Sequence, residues 1–212
     1  GGTDVMVDLR SGKLKTPFLL DISRLVAFQG IGIRVKCLSI GAGVTISEIH
    51  ASPLVAEYAP SLVRACATFG SRQIRNVANI GGNVGNASPS ADTAPPLLVH
   101  EAQAVLAGIN GERTVPVEEL FVRPYQSGVK PDELILRFLL KPAQGMFSDF
   151  QKIGRRKALA IARMSMAVLA DREKNGTIRS LRLAMGSSTP IPMRMGAVES
   201  FLVGKQPDRK TL

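Results

Sequence analysis

The stretch NVANIGGNVGNASPSAD, Asn76 to Asp92, decides how this chain is read. Three glycines, a Ser-Pro-Ser run and a closing aspartate leave it without a helical or strand period. It reads either as a plain surface loop or as a loop whose backbone N–H groups are its purpose. Gly81-Gly82 admits positive φ and close approach of a ligand, and successive N–H groups in such a turn form a nest for an anion. A phosphate or pyrophosphate is the natural guest. Just downstream, Ser90 to Thr93 offer caps, Pro95 and Pro96 fit a first helical turn and LLVHEA forms the body, so a helix dipole would add to the same site. The patterns GxGxxG and GxxxxGK[ST] are both missing, so neither common phosphate loop accounts for the stretch.

Working towards the N-terminus, Thr45 to Glu48 has the form of a capping box, which predicts a helix after it. PSLVRACATF, Pro60 to Phe69, has the apolar spacing of another helix, stopped by Gly70. DVMVDL (4–9) reads as a short strand or a helix start, while FLLDISRL (18–25) and IRVKCLSIGAGV (33–44) read as strands or strand-plus-turn ending at Gly41 and Gly43. In the other direction, Asn110-Gly111 predicts a hairpin over residues 102–120, and DELILRFLLKP (132–142) reads as a strand closed by Pro142. A boundary falls near residues 141–147. Beyond it, Met164, Met166, Val168 and Ala170 alternate with Arg163, Ser165, Ala167 and Leu169, and Leu181, Leu183 and Met185 alternate in turn. Asn175-Gly176 between them predicts a second hairpin, with the methionines as core filling. VGKQPDRKTL (203–212) reads as a helix start and GGTDVMV as the middle of a fold, so both ends look cut.

The 212 residues suffice for one large domain or two modest ones, and 45% hydrophobic against 21% charged residues is a globular balance. Lys+Arg 27 against Asp+Glu 17 gives a formal charge of +10, which asks for an acidic counterpart: nucleic acid, membrane surface, phosphorylated cofactor or acidic protein. Nucleic acid is disfavoured, because single-strand binders stack bases on aromatic rings and this chain is 5% aromatic with no Trp. Its densest basic run, KIGRRK (152–157), contains no aromatic residue. Cys37, Cys66, His50 and His100 stand in no ligand spacing, so neither zinc nor an iron–sulfur cluster is expected on this chain, and the thiols read as buried groups in a reducing compartment. Ser88, Ser90, Asp92 and His100 lack the GxSxG elbow of a hydrolase. No apolar run reaches the ~20 residues of a membrane span.

Three segments, GGTDVMV at Gly1, QIRNVANIGGNVGNASPSAD at Gln73 to Asp92 and FQKIGRRKALAIA at Phe150 to Ala162, together resemble the FAD-binding subunit, or medium chain, of the molybdenum hydroxylases. That family includes xanthine dehydrogenases and aerobic carbon monoxide dehydrogenases. The resemblance runs in order over nearly the whole chain. It implies an α+β fold: two α/β FAD-binding subdomains of the vanillyl-alcohol-oxidase type (about 1–40 and 41–142), then a small, truncated domain (143–212) with an antiparallel sheet and helices.

By the same resemblance, Gly1, Gly2, Thr3 and Asp4 form one pyrophosphate loop and Asn79, Ile80, Gly81, Gly82 and Asn83 the other. Phe69 matches an aromatic on the flavin side, or is a core residue ending a helix. Asp92 matches an acid that bonds a sugar or ribityl hydroxyl, or simply caps the next helix. Lys152, with Gln151 as the alternative one residue away, matches a lysine near the flavin ring, and Ile135 an aliphatic residue beside it. No histidine or cysteine lies in these loops to attach the flavin, so FAD is expected to be non-covalent. The implied role is electron transfer from iron–sulfur clusters on a small subunit to NAD, oxygen or a quinone. Substrate is hydroxylated at molybdopterin on a large subunit, in a cytoplasmic dimer of heterotrimers. No residue of this chain is expected to act as a catalytic acid or base, or as a metal ligand. A stand-alone flavin oxidase and a basic nucleic-acid-binding protein are the alternatives.

Overall fold

The computed structural model describes residues 1–156 and 159–208. The opening glycines lead into helix α1 (Thr3–Arg10), which resolves the ambiguity of DVMVDL in favour of helix. FLLDISRL is not a strand; Phe18 and Leu20 are exposed, and no neighbouring backbone offers this segment a ladder. A strand is defined by its partner, which local sequence does not show. β1 (Ile31–Arg34) and β2 (Cys37–Gly41) form a hairpin about Val35 and Lys36, both at positive φ, so one predicted strand is two. Neither residue is the Gly or Asn that normally signals such a turn.

The capping box at Thr45 forms as expected: the Glu48 amide donates to Thr45 Oγ1 at 3.2 Å and the Thr45 amide to Glu48 Oε2 at 2.7 Å. It starts α2 (Ile46–Ala51), followed by α3 (Pro53–Tyr58), α4 (Pro60–Ala67) and α5 (Arg72–Arg75). Within the stretch read as loop, Ile80–Gly85 coils into α6, and Pro95 and Pro96 open α7 (Ala94–Val99). α7 is shorter than expected, since LLVHEA leaves the helix after Val99.

Hairpin β3 (Gln103–Gly108) and β4 (Gly111–Pro116) forms about Asn110-Gly111; a small ribbon of β5 (Phe121–Arg123) and β6 (Gln126–Ser127) precedes β7 (Glu133–Leu140). These build an antiparallel five-stranded sheet in the order β1-β2-β7-β3-β4. β2 runs across residue 40, so residues 31–41 share one sheet with β3, β4 and β7. Arg113 on β4 clamps Glu133 on β7 with bonds of 2.7 and 2.8 Å.

A second antiparallel sheet, ordered β11-β10-β9-β8, comprises β8 (Phe147–Gly154), β9 (Ala162–Arg172), β10 (Ile178–Gly186) and β11 (Met193–Arg194). The hairpin about Asn175-Gly176 is the predicted one. Its faces are reversed: Ser165, Ala167 and Leu169 turn inward, while Met164 and Met166 lie on the exposed face, so these methionines are not core filling. Alternation shows that a strand has two faces, not which is buried. α8 (Gly196–Leu202) packs Leu202 with Ala170, Ile178 and Leu181. The helix start read in 203–212 does not form through 208; residues 209–212 lie outside the described residues, as do Lys157 and Ala158 of the KIGRRK and KALAIA segments.

One core runs through both sheets. Leu62, Ala65 and Cys66 of α4 and Leu97 and Val99 of α7 are buried in the same cluster as Phe138 and Leu140 of β7 and Phe150, Ala167, Leu169 and Ala184 of the second sheet. Helices α4 and α7 are thus the layer against which the second sheet docks, and that docking brings β8 up to the stretch after α6.

Candidate functional site

A cleft of about 360 Å³ lies where the start of α1 meets α6, lined by Gly1, Gly2, Thr3, Asp4, Phe69, Asn79, Gly82 and Asn83 among others. Eight of the residues expected at a cofactor are therefore brought together by segments far apart in the chain. Two contacts hold the segments in register. Asn86 Nδ2 donates to Asp4 Oδ2 at 3.1 Å. A Cβ on Gly1 would stand 2.5 Å from the Val77 carbonyl, so glycine alone permits that approach.

The donors are arranged differently from the nest that Gly81-Gly82 suggests. Ile80 N–H bonds the Val44 carbonyl at 3.1 Å, Gly81 N–H the Ala42 carbonyl at 2.8 Å, and Asn83 N–H the Asn79 carbonyl at 3.1 Å. Gly82 N–H is capped by the Asn79 side chain at 2.7 Å. Gly81 serves packing, because a Cβ there would lie 2.6 Å from Ala42 Cβ. Free donors come from the other loop instead: α1 has no side-chain cap, and the amides of Thr3, Asp4 and Val5 have no acceptor among the described residues. Such first-turn amides carry the positive end of a helix and are suited to an anion.

Ile80 and Ile135 lie beneath the cleft. Ile80 is fully buried, and Ile135 on β7 sets its Cδ1 against Gly85. Asp92 and Lys152 form a separate inner pair: Lys152 Nζ meets Asp92 Oδ2 at 2.6 Å and the Thr68 carbonyl at 3.3 Å, with 8% and 7% of the two side chains exposed. Burial pushes the Asp92 carboxyl above its usual range, and the Lys152 ammonium opposes that push. Asp92 Oδ1 is buried without a partner. Asp92 does not cap α7; the N-cap is Thr93, whose hydroxyl donates to Asn83 Oδ1 at 2.6 Å and so ties this segment to α6. Gln151 faces the opposite side of β8, exposed and bonded to Asp149. Phe69, half-buried at the cleft, has its carbonyl held by Arg75 at 3.0 Å.

Sequence reading passed over Val5, Ala78, Gly85 and Asn86 of the lining. A signal was present: Asn79, Asn83 and Asn86 recur at i, i+4 and i+7, one face of a helix, but the glycines among them suggested a loop. The fit to a flavin nucleotide rests on the unpartnered α1 amides, on glycines where a Cβ would block the cleft's closure, and on the orphaned Asp92 oxygen.

Residues 1–140 match the family described as FAD binding domain in molybdopterin dehydrogenase, and residues 149–212 the CO dehydrogenase flavoprotein C-terminal domain. The chain is 31% identical over 197 residues to the xanthine dehydrogenase FAD-binding subunit of Escherichia coli O157:H7, covering 92% of this chain and 67% of that one. It is 28% identical over 206 residues to the carbon monoxide dehydrogenase medium chain of Hydrogenophaga pseudoflava, covering 97% and 71%. A solved carbon monoxide dehydrogenase from the same organism superposes with a TM-score of 0.94 at 27% identity, over 99% of this chain and 73% of that one. With its cleft, its paired glycine loops and both domains matched in order, the chain belongs to the FAD-binding flavoprotein family of the molybdopterin dehydrogenases.

Proposed function

We propose that the cleft holds the diphosphate of FAD non-covalently, and that the chain is the electron-transfer subunit of a molybdenum hydroxylase complex. One observation carries this reading: two glycine segments converge on a cleft into which an uncapped helix start presents free amides. Gly1 to Asp4 and Asn79 to Asn83 frame the diphosphate, with Gly82 able to exchange its side-chain cap for a phosphate oxygen. Phe69 walls the flavin side, Asp92 accepts a hydroxyl, and Lys152 and Ile135 support the ring end. A positive charge held at Lys152 favours negative charge developing on a neighbouring ring.

When bound, FAD supplies the redox chemistry, taking electrons from iron–sulfur clusters and passing them to NAD, oxygen or a quinone; the chain supplies position and electrostatics. A molybdopterin-binding large subunit and an iron–sulfur small subunit are the expected partners, in a cytoplasmic dimer of heterotrimers. The chain divides near residue 142 into a flavin-binding part and a C-terminal part. No helix of the described residues is long and apolar enough to cross a membrane.

The absorption spectrum of the purified protein tests the reading. Flavin bands, with FAD released into solution on acid denaturation, are expected. A colourless protein that takes up no added FAD contradicts the proposal, and turnover of a substrate without partner subunits favours a stand-alone oxidase.

A further inference from the structure

The end of α4 is held by two cations from different elements. Its last turn closes as the amides of Thr68 and Phe69 bond the carbonyls of Ala65 and Cys66 at 3.2 and 3.3 Å, after which Gly70 turns the chain at a φ of 42°. The carbonyls of Thr68, Phe69 and Gly70 are left at the negative end of the helix without backbone donors among the described residues. Lys152 Nζ on β8 reaches the first at 3.3 Å, and Arg75 Nη1 on α5 donates to the second and third at 3.0 and 3.3 Å. Lys152 is also tied to Asp92. Arg75 has no carboxylate partner among the described residues, so its half-buried guanidinium is committed to those two carbonyls.

The place of this turn gives those bonds their consequence. Phe69 and Asn79 both line the cleft, and Arg75 lies between them in the chain. The Asn79 side is fixed by backbone: the Ala78 amide bonds the Ile74 carbonyl at 2.7 Å, and the Ala78 carbonyl receives the Ile46 amide of α2 at 2.9 Å. The Phe69 side has the Arg75 side chain as its tether. We infer that Arg75 is a positioning residue for the flavin: reaching back from α5, it fixes the backbone of Phe69 so that the aromatic ring stands as the wall of the flavin side. Arg75 acts through Phe69. This rests on the cofactor reading above and adds to it what holds the wall in place.

A double-mutant cycle on the flavin-loaded protein tests this, with FAD release followed as recovered flavin fluorescence. Arg75→Met keeps the stem and loses both bonds, Arg75→Lys keeps a charge that can reach one carbonyl, and Phe69→Ala removes the ring. Release about fivefold faster in Arg75→Met is expected from a loss the size of one hydrogen bond, with Arg75→Lys in between. In the Phe69→Ala background the same Arg75→Met change should alter release by less than about twofold, because the group it positions is gone. The visible circular dichroism of the bound flavin should shift in the same sense in Arg75→Met and Phe69→Ala, a signature that a general loss of stability does not produce. Should Arg75→Met fail to fold, Arg75→Lys carries the cycle alone. Release at the wild-type rate, or an equal acceleration with and without the Phe69 ring, overturns the inference and leaves the cofactor reading standing. Wild-type protein that neither carries nor takes up FAD overturns both, which separates the two failures.

Discussion

Lys152 carries its ammonium into an interior where, among the described residues, Asp92 and the Thr68 carbonyl receive it. Each charge of this pair is the main compensation for the other, so removing one leaves the other buried alone. Lys152→Met should cost about 3–5 kcal/mol in urea unfolding, and adding Asp92→Asn should restore most of that loss. Gly81 is constrained by packing: Gly81→Ala drives a methyl into Ala42 and should cost about 1–3 kcal/mol by the same measurement, even without cofactor. The glycine pair was legible in the sequence, but its division of labour was not. Ala42 is distant in the chain, and only the fold shows that Gly81 faces it while Gly82 faces the cleft.

Elements set by adjacent residues were readable, and elements set by distant partners were not. The Thr45 capping box and the Asn-Gly hairpins are local bargains between neighbours, and all of them form. Thr45→Ala should therefore destabilise the protein by about 1 kcal/mol, seen as a lower thermal midpoint. FLLDISRL failed as a strand because strand character is conferred by a neighbouring backbone. The methionine face of β9 was misassigned because the inward side is chosen by α4 and α7, which pack over Ser165, Ala167 and Leu169. α6 was missed for a related reason. Its start is stabilised by carbonyls of Ala42 and Val44 as well as by Asn79, and only the last is nearby in sequence.

Across the whole molecule, the two sheets share a core, and His100 sits inside it between Ser61 Oγ at 3.3 Å and the Lys141 carbonyl at 2.7 Å. Burial lowers its pKa to about 4 from an ordinary 6.5, so the native state resists a proton that the unfolded state takes. The stability this provides is complete above pH 6.5 and is lost as pH falls towards 4, by up to about 3 kcal/mol. Urea midpoints should decline between pH 7 and pH 5, and His100→Gln should flatten that decline. The whole-molecule claim, that the cofactor lies between the start of α1 and α6, is tested most directly by comparing amide hydrogen exchange in flavin-loaded and flavin-stripped protein. Slower exchange at Thr3, Asp4, Val5 and Gly82, with the β3–β4 hairpin unchanged, is the predicted result. Protection confined to other segments, with these four amides exchanging equally in both forms, would contradict it.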